Sequence, residues 1–147
     1  MSLDDRSLVL TRTFRAPPQV VYDAWINPQT LPLWFAPEGL RCVSHDIDLR
    51  EGGHWLFDMV GDGVTFANRH RFTRLVPGER IEFLMDDGQD DGVPFEVTAI
   101  LTPHEGGTLL TYTMVLPTPE AKQQALSYNA VELGYTTFAK LAAVLGE

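Results

Sequence analysis

Between residues 40 and 116 no stretch keeps helical spacing, and turn-forming clusters cut the run at short intervals. "EGG" at 51–53, "GDG" at 61–63, "PGE" at 77–79, "DDGQDDG" at 86–92 and "HEGG" at 104–107 supply the residues that tight turns need. Six strands follow, at about 40–50, 54–60, 64–76, 80–86, 93–102 and 108–116. Connections this short join antiparallel neighbours. An antiparallel sheet of this kind has one wet face and one dry face, so something else in the chain must cover the dry one.

The two ends of the sequence supply the cover. Residues 7–15, SLVLTRTFR, alternate as a further strand, with Leu8, Leu10 and Phe14 on one face. "APPQVVYDAWINP" then changes to helical spacing, with Val20, Val21, Ala24 and Trp25 together. Pro17 and Pro18 suit a helix start, and Pro28 ends it. "TLPLWFAP" reads as a second, short helix or turn with Thr30 at its cap. After Thr118, a good N-cap, the remainder reads as one long helix with a stripe of Val131, Gly134, Tyr135, Phe138, Leu141, Ala142 and Leu145. About 27 residues at 1.5 Å each make a rod of ~40 Å. The order β-α-α-β-β-β-β-β-β-α predicts an α+β fold in one domain over residues 1–147. A strongly twisted sheet of this size curls, and a straight helix laid against it need not fill the concavity.

Alternation proposes what lines that concavity. The inward set is Val43, His45, Ile47 and Leu49; Trp55, Phe57 and Met59; Phe66, Asn68, His70 and Phe72; Ile81, Phe83 and Met85; Phe95, Val97, Ala99 and Leu101; and Leu110, Tyr112, Met114 and Leu116. His54 and Cys42 fall on the other face. "FANRHRF" at 66–72 is the unusual strand, with an amide and an imidazole between two inward phenylalanines. Apolar walls with a few placed polar groups describe a small-molecule site. They equally describe a filled core whose polar side chains bond to neighbours or to water. The candidate ligand-contacting residues are Trp55, Phe57, Phe66, Asn68, His70, Phe72, Phe83, Met85, Phe95, Tyr112, Met114, Tyr135 and Phe138. His70, His45 and Tyr112 are the candidates for acid–base work, since imidazoles titrate near neutral pH.

Other chemistries find no support. The formal charge of −9 would repel a phosphate backbone or an anionic membrane surface. No apolar run reaches the ~18 residues of a membrane span, and the opening MSLDDRS is too polar for a secretory leader. One cysteine, Cys42, forms no internal disulfide and fits a reducing, cytoplasmic setting. The loop 86–92 misses the calcium pattern, with Gln89 in place of an acid or Asn and Thr98 at the position of the bidentate Glu. Neither a metal-ligand spacing among the four histidines, a nucleophile signature, nor a phosphate loop is present, and no cofactor is expected.

From about residue 7 to 145 the chain resembles the AHSA1-like family (activator of Hsp90 ATPase homologue 1-like) of the START/Bet v 1-like (SRPBCC) superfamily. The resemblance lies in "FRAPPQVVYDAWINPQTLPLWFAP", "DLREGGHWLFDM" at 48–59, "LVPGERIEF" at 75–83, and "GGTLLTYT" followed by the C-terminal helix. It implies a helix-grip: a curved seven-stranded antiparallel sheet around a long C-terminal helix, with two short helices after the first strand. It further implies an apolar, aromatic or lipid-like ligand between sheet and helix. Where the family often has Gly-Trp this helix reads Gly134-Tyr135, and the strand 64–76 is polar where a glycine is common. The resemblance leaves two other functions open, an Hsp90-type co-chaperone module and a cyclase- or dehydratase-like enzyme with a pocket histidine. The Hsp90 partner is disfavoured, because the eukaryotic co-chaperone engages it through a separate N-terminal domain. Edge strands such as 40–50 leave room for a homodimer.

Overall fold

The computed structural model describes residues 4–89 and 92–147. Asp90 and Asp91, which belong to the acidic turn, lie outside the described residues, as does the start of MSLDDRS. A 3-10 turn at Asp4–Arg6 leads into β1 (Ser7–Phe14), α1 (Pro18–Ile26) and α2 (Leu31–Trp34). Six strands follow: β2 (Arg41–Ile47), β3 (His54–Gly61), β4 (Val64–Val76), β5 (Arg80–Asp86), β6 (Phe95–His104) and β7 (Gly107–Val115). The chain closes with α3 (Pro119–Ser127) and α4 (Ala130–Val144).

All seven strands join one antiparallel sheet in the order β1-β7-β6-β5-β4-β3-β2. Hairpins build it from β2 to β7, and β1 then pairs with β7, so β1 and β2 are its two edges. This is the curved helix-grip sheet, with α4 laid against β1 and α2. Gly134 sets the approach of α4 to β1. A Cβ at this position would lie 2.5 Å from Leu10 Cδ2, closer than any ordinary carbon contact.

The C-terminal helix is not the single rod its periodicity predicts. It breaks between α3 and α4 at Asn129, whose φ of 61° is left-handed. Asparagine tolerates this conformation better than most side chains. The two halves also have different anchorage. α3 buries no residue, whereas α4 buries Thr137, Phe138, Leu141 and Ala142. Thr118 does cap α3, its side chain accepting from Ala121 N at 3.0 Å. Thr30 stands at the start of α2 without making a capping bond. In α1 the buried face is Val21, Tyr22, Ala24 and Trp25, which turns Val20 outward.

β2 carries the other correction. Its register slips between Ser44 and Asp46, so the residues before the slip take the faces opposite to those expected while Ile47 after it stays inward. Cys42, Ser44 and Ile47 lie opposite the inward Met59, Phe57 and Trp55. Val43 pairs with Asp58 and points out. His45 is turned out as well, with 55% of its side chain exposed and its Nε2 2.9 Å from Asp58 Oδ2. Cys42 is instead packed against the core, and burial pushes its thiol up to about 11.

Candidate functional site

The dry face of the sheet is covered in two different ways. Over one half, α1 and α2 drive Trp25, Trp34 and Phe35 down onto Trp55, Phe57, Phe72 and Phe83, and the rings fill the space. Trp34 Nε1 donates to Ala24 O at 3.1 Å, and Trp55 Nε1 donates to Ser44 Oγ at 2.9 Å. Over the other half α4 spans the sheet without filling it, leaving a cavity of about 280 Å³. That lies near the lower end of small-molecule sites, roughly 300–1,000 Å³.

Each element contributes to the cavity wall through its spacing. β1 places Leu8 and Leu10, two apart and so on one face; β7 places Tyr112 and Met114 in the same way. β3, β4 and β5 give Met59, Asn68 and Met85. α4 gives Ala130, Leu133, Gly134, Thr137 and Phe138, the i, i+3, i+4, i+7 stripe of one helix face. Phe35 and Pro37 close the wall between α2 and β2. Three of the chain's four methionines are in this wall, and their unbranched thioethers let it adapt to the shape of an occupant.

Among the described residues, no charged side chain lines the cavity. Its polar groups are the hydroxyls of Tyr112 and Thr137 and the amide of Asn68. Thr137 donates weakly to Leu133 O at 3.4 Å, and Asn68 Nδ2 donates to Phe66 O at 2.9 Å. The Asn68 carbonyl oxygen therefore stays free to accept. Tyr112 is 6% exposed, and its hydroxyl has no hydrogen-bond partner among the described residues. Burial raises its pKa, so it is a neutral hydroxyl able to donate to an occupant.

His70 sits behind this wall. The imidazole is completely buried, stacked 4.3 Å from Phe83 and met edge-on by Phe35, Phe57 and Trp55 at 4.8, 5.0 and 5.4 Å. Neither ring nitrogen has a partner among the described residues. Burial lowers its pKa to about 3, with only a small opposing pull from Asp86, so the ring is neutral. His45 and His70 lie on opposite faces and do not meet. No group of three or more His, Cys, Asp or Glu among the described residues is placed to hold a metal ion.

The predicted site residues therefore separate into three groups. Asn68, Met85, Tyr112, Met114 and Phe138 line the cavity. Trp55, Phe57, His70, Phe72 and Phe83 form the packed layer behind it. Phe66, Phe95 and Tyr135 stand apart. Phe66 is 53% exposed beyond the covered part of the sheet. Phe95 lines a shallow groove beside Asp86, Asp87 and Val93. Tyr135 is turned to the edge strand, its hydroxyl accepting from Thr11 N at 3.3 Å. The inward set read from alternation lacks Phe35 and Pro37, which lie in no strand, and Leu8 and Leu10, for which alternation gives only a shared face of the first strand with Phe14. It also passed over Ala130, Leu133 and Thr137, which the i, i+3, i+4, i+7 spacing around Gly134 could have supplied.

The match of the chain to known proteins covers nearly its whole length. The family model described as activator of Hsp90 ATPase homolog 1-like protein matches residues 15–146. The crystal structure of a protein from Mycobacterium smegmatis is similar at 28% identity and a TM-score of 0.87, covering 99% of this chain and 94% of that one. A Chromobacterium violaceum protein is similar at 31% identity and a TM-score of 0.78, covering 94% of this chain and 96% of that one. The AHSA1 protein of Silicibacter pomeroyi is similar at 25% identity and a TM-score of 0.75, with coverage of 95% and 97%. None of the curated proteins matches the chain.

Proposed function

We propose that this chain, which belongs to the family of activator of Hsp90 ATPase homolog 1-like proteins, binds a small, largely apolar molecule between its sheet and α4. The observation that carries the reading is the uneven cover of the dry face. Rings pack one half tightly, while the other half is an apolar cavity with an unpartnered Tyr112 hydroxyl in its wall. A core selected only for stability would close such a space, because each unfilled volume forfeits contacts and costs stability. The occupant meets Tyr112, Asn68 and Thr137 at its polar atoms and thioethers and rings elsewhere. The enzyme alternative has less support, since His70 lies behind Phe35 and, among the described residues, Tyr112 is the titratable group at the wall. A cytoplasmic setting fits the partly buried, unpaired Cys42.

Native mass spectrometry of freshly purified protein, followed by denaturing extraction, tests for a resident molecule, and equilibrium dialysis with 2-naphthol tests for binding. Met114→Trp, which fills the cavity, is the control. The expected result is an extra mass or probe binding in the parent that Met114→Trp abolishes. Binding that survives unchanged in Met114→Trp, or neither extra mass nor probe binding in the parent, overturns the reading.

A further inference from the structure

His70 stands one layer behind the cavity wall, and three of its neighbours are part of that wall. Asn68, two residues earlier on the same face of β4, lines the cavity. So does Met85, its cross-strand partner on β5. So does Phe35, whose ring meets the imidazole edge-on at 4.8 Å. Both His70 nitrogens are buried without a partner among the described residues. Trp25 Nε1, whose ring lies 6.3 Å from the same Phe35 ring, is buried without a partner too. Buried polar groups are nearly always paired, so two orphans against one ring require an explanation. For packing alone, an aliphatic or aromatic residue would serve better at position 70, because it buries no unmet hydrogen-bonding group.

Of the three wall residues, only Phe35 is outside the sheet. Asn68 and Met85 are held by the strand ladder. Phe35 follows the single turn of α2, where its N–H bonds to Leu31 O at 3.2 Å. We infer that Phe35 is a displaceable section of the wall, and that His70 behind it forms an inner polar end of the site for an oxygen of the ligand. The inference rests on the ligand-binding reading above.

The chemistry of this end narrows the ligand class. A neutral imidazole donates from one nitrogen and accepts at the other. An alcohol or phenol can meet either imidazole nitrogen, and a carbonyl oxygen can meet the donating one. A carboxylate does not fit, because it would enter without a counter-ion and pay its desolvation unopposed. The class is a neutral, ring-bearing molecule with a hydroxyl or carbonyl group.

The test compares 2-naphthol, naphthalene and 2-naphthoate by equilibrium dialysis with the parent, His70→Leu and Phe35→Leu proteins. The parent is expected to bind 2-naphthol about tenfold more tightly than naphthalene, the effect of roughly one hydrogen bond. It should bind 2-naphthoate more weakly still. His70→Leu should remove most of that preference, and Phe35→Leu, which thins the wall, should tighten 2-naphthol severalfold. In the unmutated protein, 2-naphthol should shift the His70 Cε1–Hε1 resonance more than naphthalene does, a readout that needs no variant to fold. If His70→Leu keeps the tenfold preference and the resonance stays still, the oxygen ends at Tyr112. The inner site is then wrong while ligand binding stands. Equal binding of 2-naphthoate refutes the neutral class. If none of the three binds, the ligand-binding reading falls and this inference falls with it.

Discussion

His70 makes the stability of this protein sensitive to mild acid, in a direction and a window that can be worked out. In the folded chain the imidazole is fully buried among rings, and burial lowers its pKa from 6.5 to about 3. In the unfolded chain it titrates normally. Below about pH 6.5 the unfolded state therefore binds a proton that the folded state refuses, so stability falls as the pH falls. The loss continues until the pH reaches the folded pKa, with a limiting slope of about 1.4 kcal/mol per pH unit. Between roughly pH 7 and roughly pH 5 the loss comes to about 2 kcal/mol. His70→Met removes the titration and replaces the ring with a flexible side chain of similar volume. It also removes two unpaired buried nitrogens, which at neutral pH should add about 1 kcal/mol. Urea unfolding followed by the fluorescence of the buried tryptophans measures both effects at each pH. Asp46 and Asp86, whose pKa values are lowered, lose their contributions only at and below the carboxylate range, outside this window. The other three histidines are common to both proteins and cancel in the difference. Parallel pH profiles for the parent and His70→Met would refute the argument, and would mean that the imidazole is hydrated or paired in solution.

Three further perturbations have outcomes set by single contacts. Asp86 receives two bonds from Arg69, at 2.8 and 2.9 Å, and one from Arg71 at 3.0 Å, all partly buried. Burial pushes its carboxyl up, but the Arg69 bonds and the two guanidinium charges outweigh this and hold it low. Asp86→Asn leaves Arg69 without that partner and should cost about 2–3 kcal/mol in urea unfolding at neutral pH. Ser44→Ala leaves the Trp55 indole N–H without its acceptor and should cost about 1–2 kcal/mol, read as a Tm drop of several degrees. Thr118→Ala removes the cap of α3, worth about 1 kcal/mol. Because α3 buries no residue, the expected change is faster amide exchange in 119–127 with almost no shift in global Tm.

Much of this fold was legible because its strands obey a strict period of two. Trp55 and Phe57, Ile81 and Phe83, and Leu110 and Tyr112 alternate without interruption, and all six are buried. The glycine-bearing turns then leave little freedom in the order of strands. The misread positions share a physical cause, since each depends on a local event that carries no periodic signal. The slip in β2 falls within Ser-His-Asp, where no glycine marks a bulge, and it exchanges Val43 and His45 for Cys42 and Ser44. The helix break at Asn129 occurs without proline or glycine beside it. For the site, alternation identified the face of the sheet but not the depth. It placed His70 and Asn68 side by side on one strand, and only the three-dimensional position of Phe35 puts one in the wall and the other behind it.

The stability of His70→Met bears directly on what the histidine is for. A buried imidazole among aromatic rings, with no partner among the described residues, opposes folding at neutral pH and more strongly in acid. If replacing it stabilises the protein, packing cannot be the reason for an imidazole at that position, because a simpler side chain packs better. The same holds for the open half of the dry face, which α4 could fill with larger residues at Ala130 and Gly134, were Leu10 allowed to shift. Both features reduce stability, and they lie on either side of one phenylalanine whose backbone lies outside the sheet. A gain in stability from His70→Met together with a loss of the preference for 2-naphthol over naphthalene from His70→Leu would tie them to one cause. The unmet nitrogens would then be a binding group waiting for an oxygen, with Phe35 as its cover.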